Sequence, residues 1–255
     1  MYDIVFVSKV FTFSKGYDFP IYTKEIIKGG TGYDLDNKLP EEVESICPDY
    51  SLYGIKNTAY GFLTRGCFRN CPFCIVSRKE NQRSTKVADL ESFWRGQPNI
   101  KLLDPNLLAC ADRVELLHQL LESNVLVDFT QGLDARLLDD ETMYLLTKIK
   151  SKRFHFAWDF ESESDAIIKK LQDFKQYSGF DKKKLSVYVL TNFNTDFSFD
   201  LYRVYRLKEL GYDPYIMIYD KPNALRNVRL LQRWVNNKFI FRTVEKFEDY
   251  NPKLG

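Results

Sequence analysis

From Ala59 to Val235 the chain repeats one pattern, a short apolar run followed by an amphipathic stretch. This alternation constrains the fold more than any other feature. Strand-then-helix repetition implies parallel strands joined by helical crossovers, because a tight hairpin cannot reach a parallel neighbour. Strands are expected at Ala59 to Thr64, Ile100 to Leu103, Val125 to Thr130, Arg153 to Trp158, Leu185 to Leu190 and Tyr215 to Tyr219. Helices are expected at Thr85 to Trp94, capped by Ser84 or Thr85, and at Ala111 to Leu121, where Val114, Leu117, Leu120 and Leu121 share a face. Others fall at Asp139 to Ile149, from Ser162 or Ser164 to about Phe174, at Phe199 to Leu210 with Gly211 as C-cap, and at Ala224 to about Val235. The six units so defined admit either a doubly wound open sheet or part of a barrel. In both, ligands gather at the carboxyl ends of the strands.

The first strand runs into Gly66-Cys67-Phe68-Arg69-Asn70-Cys71-Pro72-Phe73-Cys74, a C-x3-C-x2-C spacing. Each iron of a four-iron cluster takes a protein thiolate. Three close cysteines satisfy three irons and leave the fourth open to a ligand. An electron-carrying ferredoxin needs a fourth cysteine in a different local pattern. The competing reading is structural zinc, which takes four ligands, commonly as two separated pairs. The sequence has no second C-x-x-C or C-x-x-H pair.

The run resembles the signature of the radical S-adenosylmethionine (SAM) superfamily, in its spacing, in Gly66 before the first cysteine and in Phe73 before the third. The resemblance implies a [4Fe-4S] cluster on Cys67, Cys71 and Cys74, with SAM chelated at the open iron by its methionine amino and carboxylate groups. It implies reductive cleavage of SAM to a 5′-deoxyadenosyl radical and hydrogen abstraction from an unactivated C–H bond. It places Phe73 near the adenine and calls for an external electron donor of flavodoxin or ferredoxin type. It also selects a partial (β/α)6 TIM-like barrel over 59–235. Residues 1–58 resemble the end of the α/β cobalamin-binding domain that precedes the barrel in one radical SAM class, and the phrase from Pro48 through Cys74 is especially similar. That class's D-x-H-x-x-G motif is absent, so 1–58 is expected to be a structural remnant, with Gly29, Gly30 and Gly32 forming a turn. Residues 236–255, rich in aromatics, are expected to close the open side or cover the substrate.

The strand ends supply candidate SAM contacts. Asp104 and Asn106 occupy the place where the family holds the methionine ammonium, although a glycine-glycine-glutamate motif is missing. Gln131, Asp159 and Asn192 offer partners to ribose hydroxyls. Arg136 matches a carboxylate in a planar fork. Each has a plainer alternative: Asp104 and Asp159 as caps, and Arg136 as a turn residue beside Asp134 or Asp139. Lys79, Glu80 and Arg83 follow the cysteine loop and are candidates for tuning a cluster. His155 lies within a strand, His118 is expected on an exposed helix face, and Cys110 reads as a buried thiol.

Composition limits the alternatives. With 44% apolar residues the chain can build a core, and a net charge of +2 gives no global pull toward nucleic acid or anionic membrane. Five cysteines in 255 residues do not make a secreted disulfide scaffold. No stretch approaches a membrane span and no signal peptide is evident, so a cytoplasmic location is expected. The competing functions are an iron–sulfur electron-transfer or binding protein without SAM chemistry and, among enzymes, a cobalamin-linked methyltransferase.

Overall fold

A computed structural model describes residues 2–16 and 20–253. The last two residues of the expected closing segment therefore lie outside the described residues. The apolar run from Asp3 to Val10, which reads as a strand, forms β1 (Tyr2–Ser8) and pairs in parallel with β2 (Thr23–Gly29), a strand with no such signal. Only Val7 of this pair is buried. Gly30 turns the chain after β2 at φ 84°, and a Cβ on Gly32 would lie 2.6 Å from the Phe11 carbonyl. The glycine turn is thus packed against backbone. After a single acidic turn, α1 (Glu41–Glu44), the Tyr50 hydroxyl accepts from the Tyr60 N–H at 2.9 Å and lies 3.0 Å from the carbonyls of Tyr60 and Phe93. That contact fastens the N-terminal piece to the rest.

β3 (Thr58–Gly61) begins the alternating region. The next strand, β4 (Thr64–Arg65), enters the cysteine segment, which contains the short helix α2 (Val76–Lys79). β5 (Thr85–Lys86) returns antiparallel to β4, with Thr64 opposite Lys86 and Arg65 opposite Thr85. The helix expected over Thr85 to Trp94 is therefore replaced by this strand and a 3-10 turn at Leu90–Ser92. Pairing with β4, remote in sequence, overrides the local helical signal.

The remaining elements follow the expected order: β6 (Asn99–Leu102), α3 (Arg113–Ser123), β7 (Leu126–Phe129), α4 (Asp140–Lys148), β8 (Phe154–Ala157) and α5 (Ser164–Ser178). They continue with β9 (Leu185–Thr191), α6 (Phe197–Glu209), β10 (Asp213–Ile218), α7 (Arg226–Asn236) and α8 (Lys238–Thr243). α4 opens on a capping box between Asp139 and Thr142, while α5 ends at Gly179 with φ 64°.

The partial (β/α)6 TIM-like barrel is not formed. The backbone is mixed α/β with small separate sheets and, among the described residues, no closed barrel. Two three-stranded parallel sheets, β3-β6-β7 and β8-β9-β10, keep sequence order but share no ladder. The break lies between β7 and β8. There the Val127 N–H donates to the Lys150 carbonyl at 2.8 Å and the Leu133 N–H to the His155 carbonyl at 2.7 Å, leaving only isolated bridges. One bond ends before β8, at Lys150, and the other within it, at His155, so no continuous ladder forms.

Strand side chains alternate between two environments, as the two-residue period requires. Ile100, Leu102, Val127, Phe129, Phe154, Phe156, Val187 and Val189 are buried. They join one core with helix residues such as Leu117, Leu146, Leu171, Leu207 and Trp234. The other side carries half-exposed polar residues, among them Lys101, Asp128 and His155. No helix among the described residues is long and apolar enough to cross a membrane.

Candidate functional site

The cysteine loop is an excursion of the β4–β5 hairpin, and its entrance is held by a buried carboxylate. Asp104, 5% exposed after β6, accepts from the Leu63 N–H at 3.1 Å, the Thr64 N–H at 2.5 Å and the Thr64 hydroxyl at 2.7 Å. Burial pushes its carboxyl up to about 6 against these bonds. Asp104 thus anchors the strand that leads to the cysteines.

Gly66 makes the turn into the loop. Its φ is 89°, and a Cβ there would strike the Arg83 carbonyl and lie 2.6 Å from that of Asn81. Its N–H donates to Glu80 at 2.8 Å, and the next N–H, of Cys67, donates to the Asn81 carbonyl at 3.0 Å. Glu80 also pairs with Arg65 at 3.2 Å, and Arg65 with Glu44 at 2.8 Å. Glu80 therefore closes the loop on itself.

Cys67, Cys71 and Cys74 are all free and half-buried. The Cys74 N–H donates to the Cys71 carbonyl at 2.9 Å. Burial pushes the Cys71 thiol up to about 11, with Asp159, Cys74 and Cys67 adding to the rise and Arg69 opposing it. Among the described residues no group of three or more His, Cys, Asp or Glu side chains is gathered as a single metal ion would require.

Two sequence candidates lie beside these thiols. Asn106, 4% exposed, directs Nδ2 to the Cys67 sulfur at 3.6 Å and to Asp134 Oδ2 at 3.4 Å, while its Oδ1 is buried without a partner among the described residues. Arg136 clasps Asp134 in a two-pronged fork, Nε to Oδ1 at 2.8 Å and a terminal nitrogen to Oδ2 at 2.6 Å. Burial works to raise the Asp134 carboxyl, but the Arg136 fork outweighs it and the group ends below its ordinary range. Arg136 also reaches Glu163, whose second oxygen meets Arg69 at 2.5 Å. Sequence reasoning missed Arg69 and Glu163, which are 94 positions apart in the chain.

Phe73 joins a row of rings across the second sheet. It lies 5.7 Å from Phe160, beyond β8, and edge-on at 5.2 Å from Phe193, beyond β9; Phe193 continues to Tyr219, beyond β10, at 4.9 Å. The cysteine loop therefore spans from the end of β6 to the ends of β8, β9 and β10. No protein-family model matches this chain, and no curated protein matches it.

The other candidates are more dispersed. Asp159 lies within electrostatic reach of Cys71, and burial raises its carboxyl against the pull of Arg69 and Arg203. Asn192, at φ 64°, donates to the Tyr219 carbonyl at 2.8 Å and so ties β9 to β10. Gln131 is exposed. Thr130 and Thr191 direct their hydroxyls to the carbonyls of Leu102 and Met217 on neighbouring strands. Cys110 is buried in the core and His118 is exposed on α3.

Proposed function

We propose that this chain holds a [4Fe-4S] cluster through Cys67, Cys71 and Cys74, binds SAM at the open iron, and starts radical chemistry on a substrate still to be identified. The observation that carries the reading is the cysteine loop: three half-buried thiols follow a glycine turn, with Asn106 against the first thiol and Phe73 set on rings at three strand ends. The donor set suits a cubane, in which each thiolate takes a different iron and a single compact ion site is not required.

The cluster would supply the single electron that cleaves the SAM sulfonium to methionine and a 5′-deoxyadenosyl radical. The chain's residues would bind and orient. Asn106 Oδ1, a buried acceptor without a partner, suits an ammonium hydrogen. Arg69, beside Cys71, suits a carboxylate by its charge. The Phe73 ring offers an apolar face to an adenine. Arg136, already forked on Asp134, positions that carboxylate and Glu163. An external flavodoxin- or ferredoxin-type donor and a reducing, cytoplasmic setting belong to the same proposal, since a low-potential cluster must be reduced before it can cleave SAM.

The test is anaerobic reconstitution of the full chain with iron and sulfide, followed by dithionite and SAM. Wild-type protein is expected to release 5′-deoxyadenosine and methionine in equal amounts, and Cys71→Ala none. Four-iron-loaded wild type that releases no 5′-deoxyadenosine would leave the electron-transfer reading in its place.

A further inference from the structure

We propose that the chain carries a second ligand site, at the amino-terminal ends of the parallel strands, that binds a small phosphate-bearing molecule. A cavity of about 800 Å³ opens there. It is bordered by the first residues of β3, β6 and β7, the opposite end of those strands from the residues leading to the cysteine loop. Its size falls in the range of small-molecule sites.

The lining is strongly one-signed. Lys101, Lys152, Arg153, Lys183 and Lys184 face it with Asp128 as the single carboxylate. Lys101, Lys152 and Lys183 have no ion-pair partner among the described residues. Arg153 is already fixed: it pairs with Asp213 at 2.8 Å and donates from Nε to the Lys183 carbonyl at 3.0 Å. That link holds the approaches to β8 and β9 together, so the lysine-bearing rim is a built edge. Unpaired ammonium groups converging on one cleft concentrate its positive field and select an anion.

A separate observation points to an occupant. His155 lines the same cavity, its ring stacked on Tyr188 at 4.9 Å and 8°, and its Nδ1 is buried with no partner among the described residues. A buried nitrogen held in place by stacking requires a hydrogen-bond partner. A phosphate or ester oxygen that enters past the lysines and shifts the His155–Tyr188 stack accepts a hydrogen bond from it. The whole chain carries a net charge of only +2, so the positive field is local to this cleft, as suits a small anion more than a nucleic-acid strand. The site shares no residue with the cysteine loop and stands independently of the proposed cluster.

Titration of the full-length chain with tripolyphosphate at physiological ionic strength tests this, followed by calorimetry and by the imidazole proton resonances. The chain has two histidines, so the exposed His118 is an internal control. Binding is expected to shift the His155 resonances and leave those of His118 in place. The exposed double charge reversal Lys152→Glu/Lys183→Glu is expected to weaken binding about tenfold or more, whereas Lys221→Glu/Lys246→Glu leaves it unchanged. Absence of binding, equal binding by the Lys152→Glu/Lys183→Glu variant, or binding of a single-stranded oligonucleotide but not tripolyphosphate would each overturn the proposal.

Discussion

Gly66 shows how one residue sets the cysteine loop. It needs a positive φ and has two carbonyls where a side chain would stand. Gly66→Ala is expected to cost about 1–3 kcal/mol and to reduce iron uptake, read from urea unfolding and from iron content after anaerobic reconstitution. Asp104 gives a pH signature. Its folded-state pKa, about 6, is raised above the ordinary 3.8, so the folded protein binds the proton more tightly than the unfolded chain. Its stabilising contribution is complete below about pH 4 and is lost as pH rises toward 6, a change on the order of 2–3 kcal/mol. Asp104→Asn should flatten that part of the stability profile in denaturant titrations from pH 4 to 7. Among single residues, the cysteines, Gly66 and Phe73 were legible because their pattern is contiguous. The Arg69–Glu163–Arg136–Asp134 chain was not, because its members meet only through tertiary structure.

Within the elements, α6 carries the most demanding interaction. Arg203 and Asp200 are 0% and 1% exposed, and Arg203 donates to Asp200 at 2.5 Å, the Trp158 carbonyl at 2.7 Å and the Leu190 carbonyl at 2.8 Å. The helix is thus fastened to the ends of β8 and β9. Arg203→Met would strand Asp200 in the core and is expected to cost about 3–5 kcal/mol by chemical denaturation; Arg203→Met/Asp200→Leu should recover part of it. Phe73→Ala tests the loop as an element. Removing its contacts with Phe160 and Phe193 should leave iron content near wild type while weakening SAM binding, measured by equilibrium dialysis under argon. The alternating strands and helices were readable because apolar period and capping residues are local signals. The Thr85 to Trp94 segment misled because β4 supplies its partner, and α8, six residues long, gave too little periodicity to be separated from the tail.

Across the whole molecule, sequence period prescribed parallel strands in order but not how they join. Whether β7 and β8 share a ladder depends on the loops at Lys150 and Leu133, which take the available hydrogen bonds, and no two-residue or 3.6-residue period records that choice. The N-terminal β1–β2 pair is mostly exposed and attaches through contacts such as Tyr50 and the Arg65–Glu44 pair. Deleting residues 1–38 should therefore lower the thermal midpoint only slightly by circular dichroism, whereas Tyr50→Phe, which removes the acceptor of the half-buried Tyr60 N–H, should cost about 0.5–1.5 kcal/mol. The central claim concerns one coordination position. Electron paramagnetic resonance of the anaerobically reduced, reconstituted protein, recorded with and without SAM, tests it most directly. The account predicts a four-iron signal that changes when SAM is added and disappears in Cys67→Ala, Cys71→Ala and Cys74→Ala. A four-iron signal that SAM leaves unchanged, or one that persists in those variants, would contradict it.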